Sequence, residues 1–203
     1  MGHSVQLIVG QGAAIASFLR EWPVARVVEL RGGWQAIPVD EALYAAIEAR
    51  HPGATRPSGL DVSPLGLSEA IAASTVGDGG LAYVETEYFG GTGAQSSIAF
   101  VDGCEVVAPQ SGRAAGPINQ ALRRIGVART LAEDEFDAIG LGERRSMADY
   151  EPEGPMRLRG QASPVAAAPQ AASDKEFVPL WKIALFIVAF IAVGVFVAIA
   201  SQS

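Results

Sequence analysis

From Leu81 to Phe89 the side chains alternate in a period of two, which predicts a β-strand. Leu81, Tyr83, Glu85, Glu87 and Phe89 share one face. Ala82, Val84, Thr86 and Tyr88 share the other. Gly90-Gly91-Thr92-Gly93 breaks the pattern, and a second strand returns from Ala94 to Val101. Asp102-Gly103 then predicts a tight hairpin into a third strand, Cys104 to Ala108. The three form an antiparallel meander, and the rest of the chain is organised around it.

Upstream, Val5 to Val9 predicts a strand that ends at Gly10-Gln11-Gly12. Ile15, Phe18, Leu19 and Trp22 fall on one helical face, and Pro23 stops that helix. A strand, a Gly-x-Gly turn and a helix suggest a dinucleotide site, but Ile15 stands where the third glycine belongs, so the pyrophosphate turn is incomplete. Strands are expected at Ala25–Leu30 and Trp34–Val39, the latter at a sheet edge because Pro38 lacks an N–H. Asp40 caps a helix that carries Leu43, Tyr44 and Ile47. Residues 51–63 form a loop, and a helix bearing Leu67, Ile71 and Ala72 begins near Pro64 or Ser68.

Downstream, Pro117 suits the first turn of a helix with Ile118, Leu122 and Ile125 inside and Gly126 at its end. Thr130 and Glu133 are spaced as a capping box for a second helix with Phe136 and Ile139 inside. The fold class is therefore α+β, an antiparallel sheet with packed helices, over residues 1–145. Residues 146–178, rich in Pro and Ala, predict a flexible linker. Within 179–203, Ile183 to Ala200 carries no polar or charged side chain. As a helix it is about 27 Å long, the thickness of a bilayer's hydrocarbon core. Trp181 and Lys182 stand where an interfacial aromatic and a snorkelling cation belong, so a C-terminal transmembrane anchor is predicted. Arg157, Arg159, Lys175 and Lys182 all precede the span, which predicts a cytoplasmic domain.

Charge and rare residues narrow the function. The formal net charge of −7 argues against nucleic acid as a partner. With one cysteine, Cys104, the 203-residue chain forms no internal disulfide, which fits a reducing compartment. Cys104 is expected as a half-buried strand residue. Two histidines, His3 at a frayed end and His51 at a helix exit, suggest no metal site, and no cofactor is implied.

Candidate chemistry gathers on the central strand. Glu85 and Glu87 point the same way, about 7 Å apart. An apolar core rejects unpaired carboxylates, so that end of the face is expected to be wet or to meet cations. In one reading Glu85, Glu87 and Gln95 line a groove floored by small residues, edged by Tyr88 and Phe89, with Gly90, Gly91 and Gly93 admitting a close approach. In the other, the same residues form a plain hairpin with a flexible tip and a solvated acidic face.

Ile37-Pro38-Val39-Asp40-Glu41, Tyr83-Val84-Glu85-Thr86-Glu87-Tyr88-Phe89-Gly90-Gly91-Thr92-Gly93-Ala94-Gln95, Gly116-Pro117-Ile118-Asn119-Gln120-Ala121-Leu122 and Asp134-Glu135-Phe136-Asp137 with Gly140-Leu141-Gly142 together carry a resemblance. They resemble a family of small uncharacterised bacterial proteins, over roughly residues 34–143. The resemblance implies a bacterial source, hence the inner membrane. By analogy only, small acidic domains of this kind resemble immunity proteins.

Three functions follow as expectations. The first is a tethered protein-binding module, held by the bilayer at high effective concentration near its partner. The second is a small hydrolase using Glu85 and Glu87, for which no triad or Cys–His pair is evident. The third is a scaffold of an envelope complex.

Overall fold

The computed structural model describes residues 2–89, 92–112 and 116–151. Six antiparallel strands form one sheet in the order β2-β3-β1-β4-β5-β6. They are β1 (His3–Gly10), β2 (Val28–Glu29), β3 (Gln35–Pro38), β4 (Gly80–Phe89), β5 (Thr92–Val101) and β6 (Cys104–Gly112). The helices are α1 (Gly12–Glu21), α2 (Glu41–Arg50), α3 (Leu67–Thr75), α4 (Gly116–Arg124) and α5 (Glu135–Ala138). The α+β class and the 81–108 meander agree with the sequence, and β6 runs four residues further than expected.

Apolar residues lie on both faces of the sheet because both faces are covered. Ile8, Ile37, Leu81, Tyr83, Ile98 and Phe100 meet Ile15, Phe18, Leu43, Ile47, Leu67 and Ile71 from α1–α3. On the other face Val5, Leu7, Val9, Ala36 and Val84 meet Ile118, Leu122, Ile139, Leu141 and Tyr150. Burying a side chain of this size contributes about 1.5–3 kcal/mol each. Gly10, where β1 leaves the sheet, has a packing reason: a Cβ there would run into the Leu81 side chain and come 3.1 Å from the Gly80 carbonyl. The Gly-x-Gly turn thus serves strand packing.

Several local expectations change. β3 is internal: β2 pairs only with Ala36 and Gln35, so Pro38, which pairs with Leu7 of β1, faces no strand on its other side. The chain escapes the missing N–H by keeping β2 to two residues. Asp40 caps α2 as expected, accepting from the Leu43 amide at 3.0 Å. Thr130 does not cap α5. Its hydroxyl accepts from the Ala132 and Glu133 amides and closes a turn, while Asp134 caps the four-residue α5 through the Asp137 amide. Ordinary helical spacing misplaces that start because Thr130 and Asp134 are both good acceptors. Cys104 is exposed rather than half-buried, since it begins an edge strand. Beyond residue 145 a helical turn, Met147–Tyr150, is capped by Ser146, and Tyr150 is buried. Ser146 also bridges to Ser4. The predicted span, with Trp181 and Lys182, lies outside the described residues, as do Gly90 and Gly91. Among the described residues no helix is long and apolar enough to cross a membrane.

Candidate functional site

The register of the sheet sets the site. Gln6, Glu85, Ser96 and Ser111 stand opposite one another on β1, β4, β5 and β6. They continue the face that carries Leu81, Tyr83, Ile98 and Phe100, one step past the helical layer. There the 61–62 segment rises beside the sheet. Between segment and sheet lies an open groove of about 530 Å³, lined by Asp61, Val62, Glu85, Glu87, Ala94 and Ser96, with Ser111 and Gly112 at the sheet edge.

Glu85 corrects the expectation of a wet pair of carboxylates. It is 4 % exposed. It accepts from the Asp61 amide at 2.7 Å, the Val62 amide at 3.4 Å and the Tyr83 hydroxyl at 2.9 Å. These hydrogen bonds offset the cost of burying the carboxylate. Burial and the Glu85 charge push the Tyr83 hydroxyl well above the ordinary tyrosine value, so it remains a donor. Glu87, one step further along the face, is exposed.

The 51–66 loop is held at three more points. Arg56 donates to the Ser63 carbonyl at 2.7 Å and to the Tyr44 hydroxyl at 3.1 Å, and Glu48 accepts from the Leu65 amide at 3.1 Å. The groove wall is therefore fixed by named side chains from α2, β4 and the loop itself. The sequence offered no sign that Asp61 and Val62 would complete the site, because the pairing spans 24 residues.

The small-residue floor agrees with the groove reading, through Ala94 and Ser96, and Gly93 also lines it. Ser96 is 2 % exposed and stands in register with Glu85. Gln95 and Tyr88 do not belong to the groove. Gln95 pairs with Thr86, on the face where Ser97 donates to the Pro117 carbonyl. Alternation places Tyr88 on that same face. Phe89 pairs with Thr92 at the end of the ladder. At Gly93 a Cβ would strike the Glu87 carbonyl and lie 2.6 Å from the Tyr88 Cα, so the two strands approach as only glycine allows.

His3 has a structural place. His3 is no frayed end: it starts β1, shares a 2.6 Å hydrogen bond with the Thr86 hydroxyl, and lies 5.7 Å from the Phe136 ring. Burial lowers its pKa. Among the described residues no three His, Cys, Asp or Glu side chains are grouped to hold a metal ion. The chain matches no protein-family model, no curated protein and no solved structure.

Proposed function

We propose that this chain is a protein-binding module anchored in a membrane through residues 183–200, and that the loop–sheet groove is its binding surface. The observation that carries the reading is the groove itself: a concavity whose wall is pinned by Glu85, Glu48 and Arg56, beside an exposed Glu87. Preformed concave sites bind because little ordering is left to do. Nothing in the geometry favours the hydrolase. Glu85 is committed to two amides and a phenol, and no histidine is among the described residues that line the groove. A purely structural scaffold gives no reason for a concave, fixed surface.

The span and the cations before it support an inner-membrane location with the domain on the cytoplasmic side. An immunity-like role against a basic effector is compatible with the net charge of −7.

The test places a photo-reactive residue at Val62 in the full-length chain and cross-links it in intact cells. A discrete adduct in the membrane fraction that disappears with Glu87→Lys is expected. An adduct indifferent to Glu87→Lys would refute the groove, and a full-length chain recovered in the soluble fraction would refute the tether.

A further inference from the structure

Between α4 and α5 the chain makes a turn with Leu131 at its apex. Leu131 is 111 % exposed, where the next most exposed large apolar side chain among the described residues, Val76, is 65 % exposed. A single exposed leucine is ordinary in itself. This one is held out by a built turn. The Thr130 hydroxyl accepts from the Ala132 and Glu133 amides at 3.2 and 2.9 Å, and the Thr130 amide donates to the Glu133 carbonyl at 3.0 Å. The backbone is thus closed on itself with Leu131 outside.

The cations of the same stretch are an independent sign. Arg124, in the last turn of α4, and Arg129, next to Thr130, are exposed and form no ion pair among the described residues. The helix dipole accounts for Arg123 and Arg124, but Arg129 lies beyond the helix. The acids of the stretch are committed within the protein. Glu133 pairs with Arg31 at 3.4 Å, and Glu135, 2 % exposed, accepts from Arg123 at 2.7 Å. Asp134 accepts from the Asn119 amide and caps α5. What is left to offer a partner is an aliphatic apex and two guanidinium groups.

That pairing fits the headgroup layer of an anionic membrane, where guanidinium groups meet phosphates and an apolar side chain reaches the acyl boundary. The chain also leaves the domain from this layer. Tyr150 is buried in one apolar cluster with Ile118, Leu122 and Ile139, and the sequence runs on toward residues 183–200. The net charge of −7 opposes approach of the domain as a whole, but charges act over only about 8 Å at physiological ionic strength. Contact is thereby restricted to a place that presents cations first.

We propose that the 129–132 turn docks on the anionic leaflet of the membrane, with Leu131 entering the headgroup layer and Arg124 and Arg129 meeting lipid phosphates. This rests on the membrane reading of residues 183–200 and goes beyond it, because an anchor alone sets no orientation of the domain.

The full-length chain, with Cys104→Ser to leave one thiol, carries an environment-sensitive fluorophore at Leu131→Cys. It is reconstituted in nanodiscs of phosphatidylcholine alone or mixed with phosphatidylglycerol. A blue shift in the mixed discs, lost in high salt, is expected. The same label at Val76→Cys, at the end of α3 on the opposite face of the sheet, should not respond. Arg124→Gln combined with Arg129→Gln should lower the ratio of docked to undocked domain about thirtyfold, the contribution of two cations at such a surface. Both side chains are exposed, so the fold is retained. A chain recovered outside the discs would refute the tether and this contact with it. A chain inside the discs whose Leu131 label stays unshifted would refute the contact alone and leave the turn to a protein. Equal shifts in both lipids, a Val76 shift as large as that at Leu131, or a shift that survives high salt or the double arginine variant would overturn the proposal.

Discussion

The Glu85 carboxylate accepts the backbone amide of Asp61 at 2.7 Å, across 24 residues of chain. One side chain of the central strand thereby fixes the loop that walls the groove. Its hydrogen bond from Tyr83, two residues away on the same face, orients the carboxyl from behind.

Removing that carboxylate should loosen the wall. Glu85→Ala orphans the Asp61 and Val62 amides and the buried Tyr83 hydroxyl, with a cost of about 3 kcal/mol, since bonds to a charged acceptor are worth more than neutral ones. Glu85→Gln keeps the volume but turns an NH₂ toward donors, and should recover only part of it. Chemical denaturation measures the loss, and hydrogen exchange locates it: the Asp61 and Val62 amides should exchange faster while those of β1 stay slow. Unchanged exchange at Asp61 would show that the carboxylate does not hold the loop.

Asn119 ties the two short helices of the opposite face together. Its amide donates to Asp134 at 2.9 Å, and its carbonyl oxygen accepts from the Phe136 amide at 3.0 Å. A four-residue helix cannot sustain itself, because nucleation costs more than so few bonds return. Asn119→Ala should cost about 2 kcal/mol and release α5 first, while Asn119→Asp should recover less than half, since it sets a second carboxylate against Asp134. Amide exchange at Phe136 and Asp137 reads the release directly.

What the sequence made legible was periodic or local. The 81–89 alternation, the Asp102-Gly103 hairpin and the Asp40 cap each depend on neighbours a few residues apart, and the structure has all three. The faces of Glu85 and Glu87 were legible for the same reason. What alternation could not supply was the partner from a distant loop, so the burial of Glu85 was missed. Gln95 was placed in the groove although it lies one residue out of phase with Ser96, which lines it. Tyr88 was misplaced likewise, being even-numbered on a strand whose odd residues face the groove. Such a slip reverses the face of a strand residue entirely.

His3 makes stability depend on pH. Burial lowers its folded pKa below the ordinary value of 6.5, with the Arg145 charge acting in the same direction and Asp149 and nearby carbonyls opposing. The unfolded chain therefore takes up a proton first. The contribution of His3 is complete above pH 6.5 and is lost as pH falls below it. Denaturation midpoints measured from pH 8 to pH 5 should fall more steeply for the native chain than for His3→Gln, which can still bond to Thr86. Parallel curves would assign the acid sensitivity to other groups.

Gly93 separates the shape of the groove from its charge. The residue stands opposite Tyr88, and a Cβ there would meet backbone rather than a side chain that could turn aside. Relief requires the β4–β5 ladder to part at that end, and overpacking of this kind costs about 1–3 kcal/mol. Gly93→Ala leaves Glu85, Glu87 and Ser96 chemically intact while shifting the floor beneath them. Binding should therefore fall by more than in Glu87→Gln, with stability lowered and net charge unchanged. Gly116→Ala, where nothing stands within 4 Å of the added methyl, is the matched control and should alter neither quantity by more than a few tenths of a kcal/mol. If Gly93→Ala bound as well as the native chain, the ladder beside Glu87 would not be part of the binding surface, and affinity would have to reside in the 61–62 wall alone.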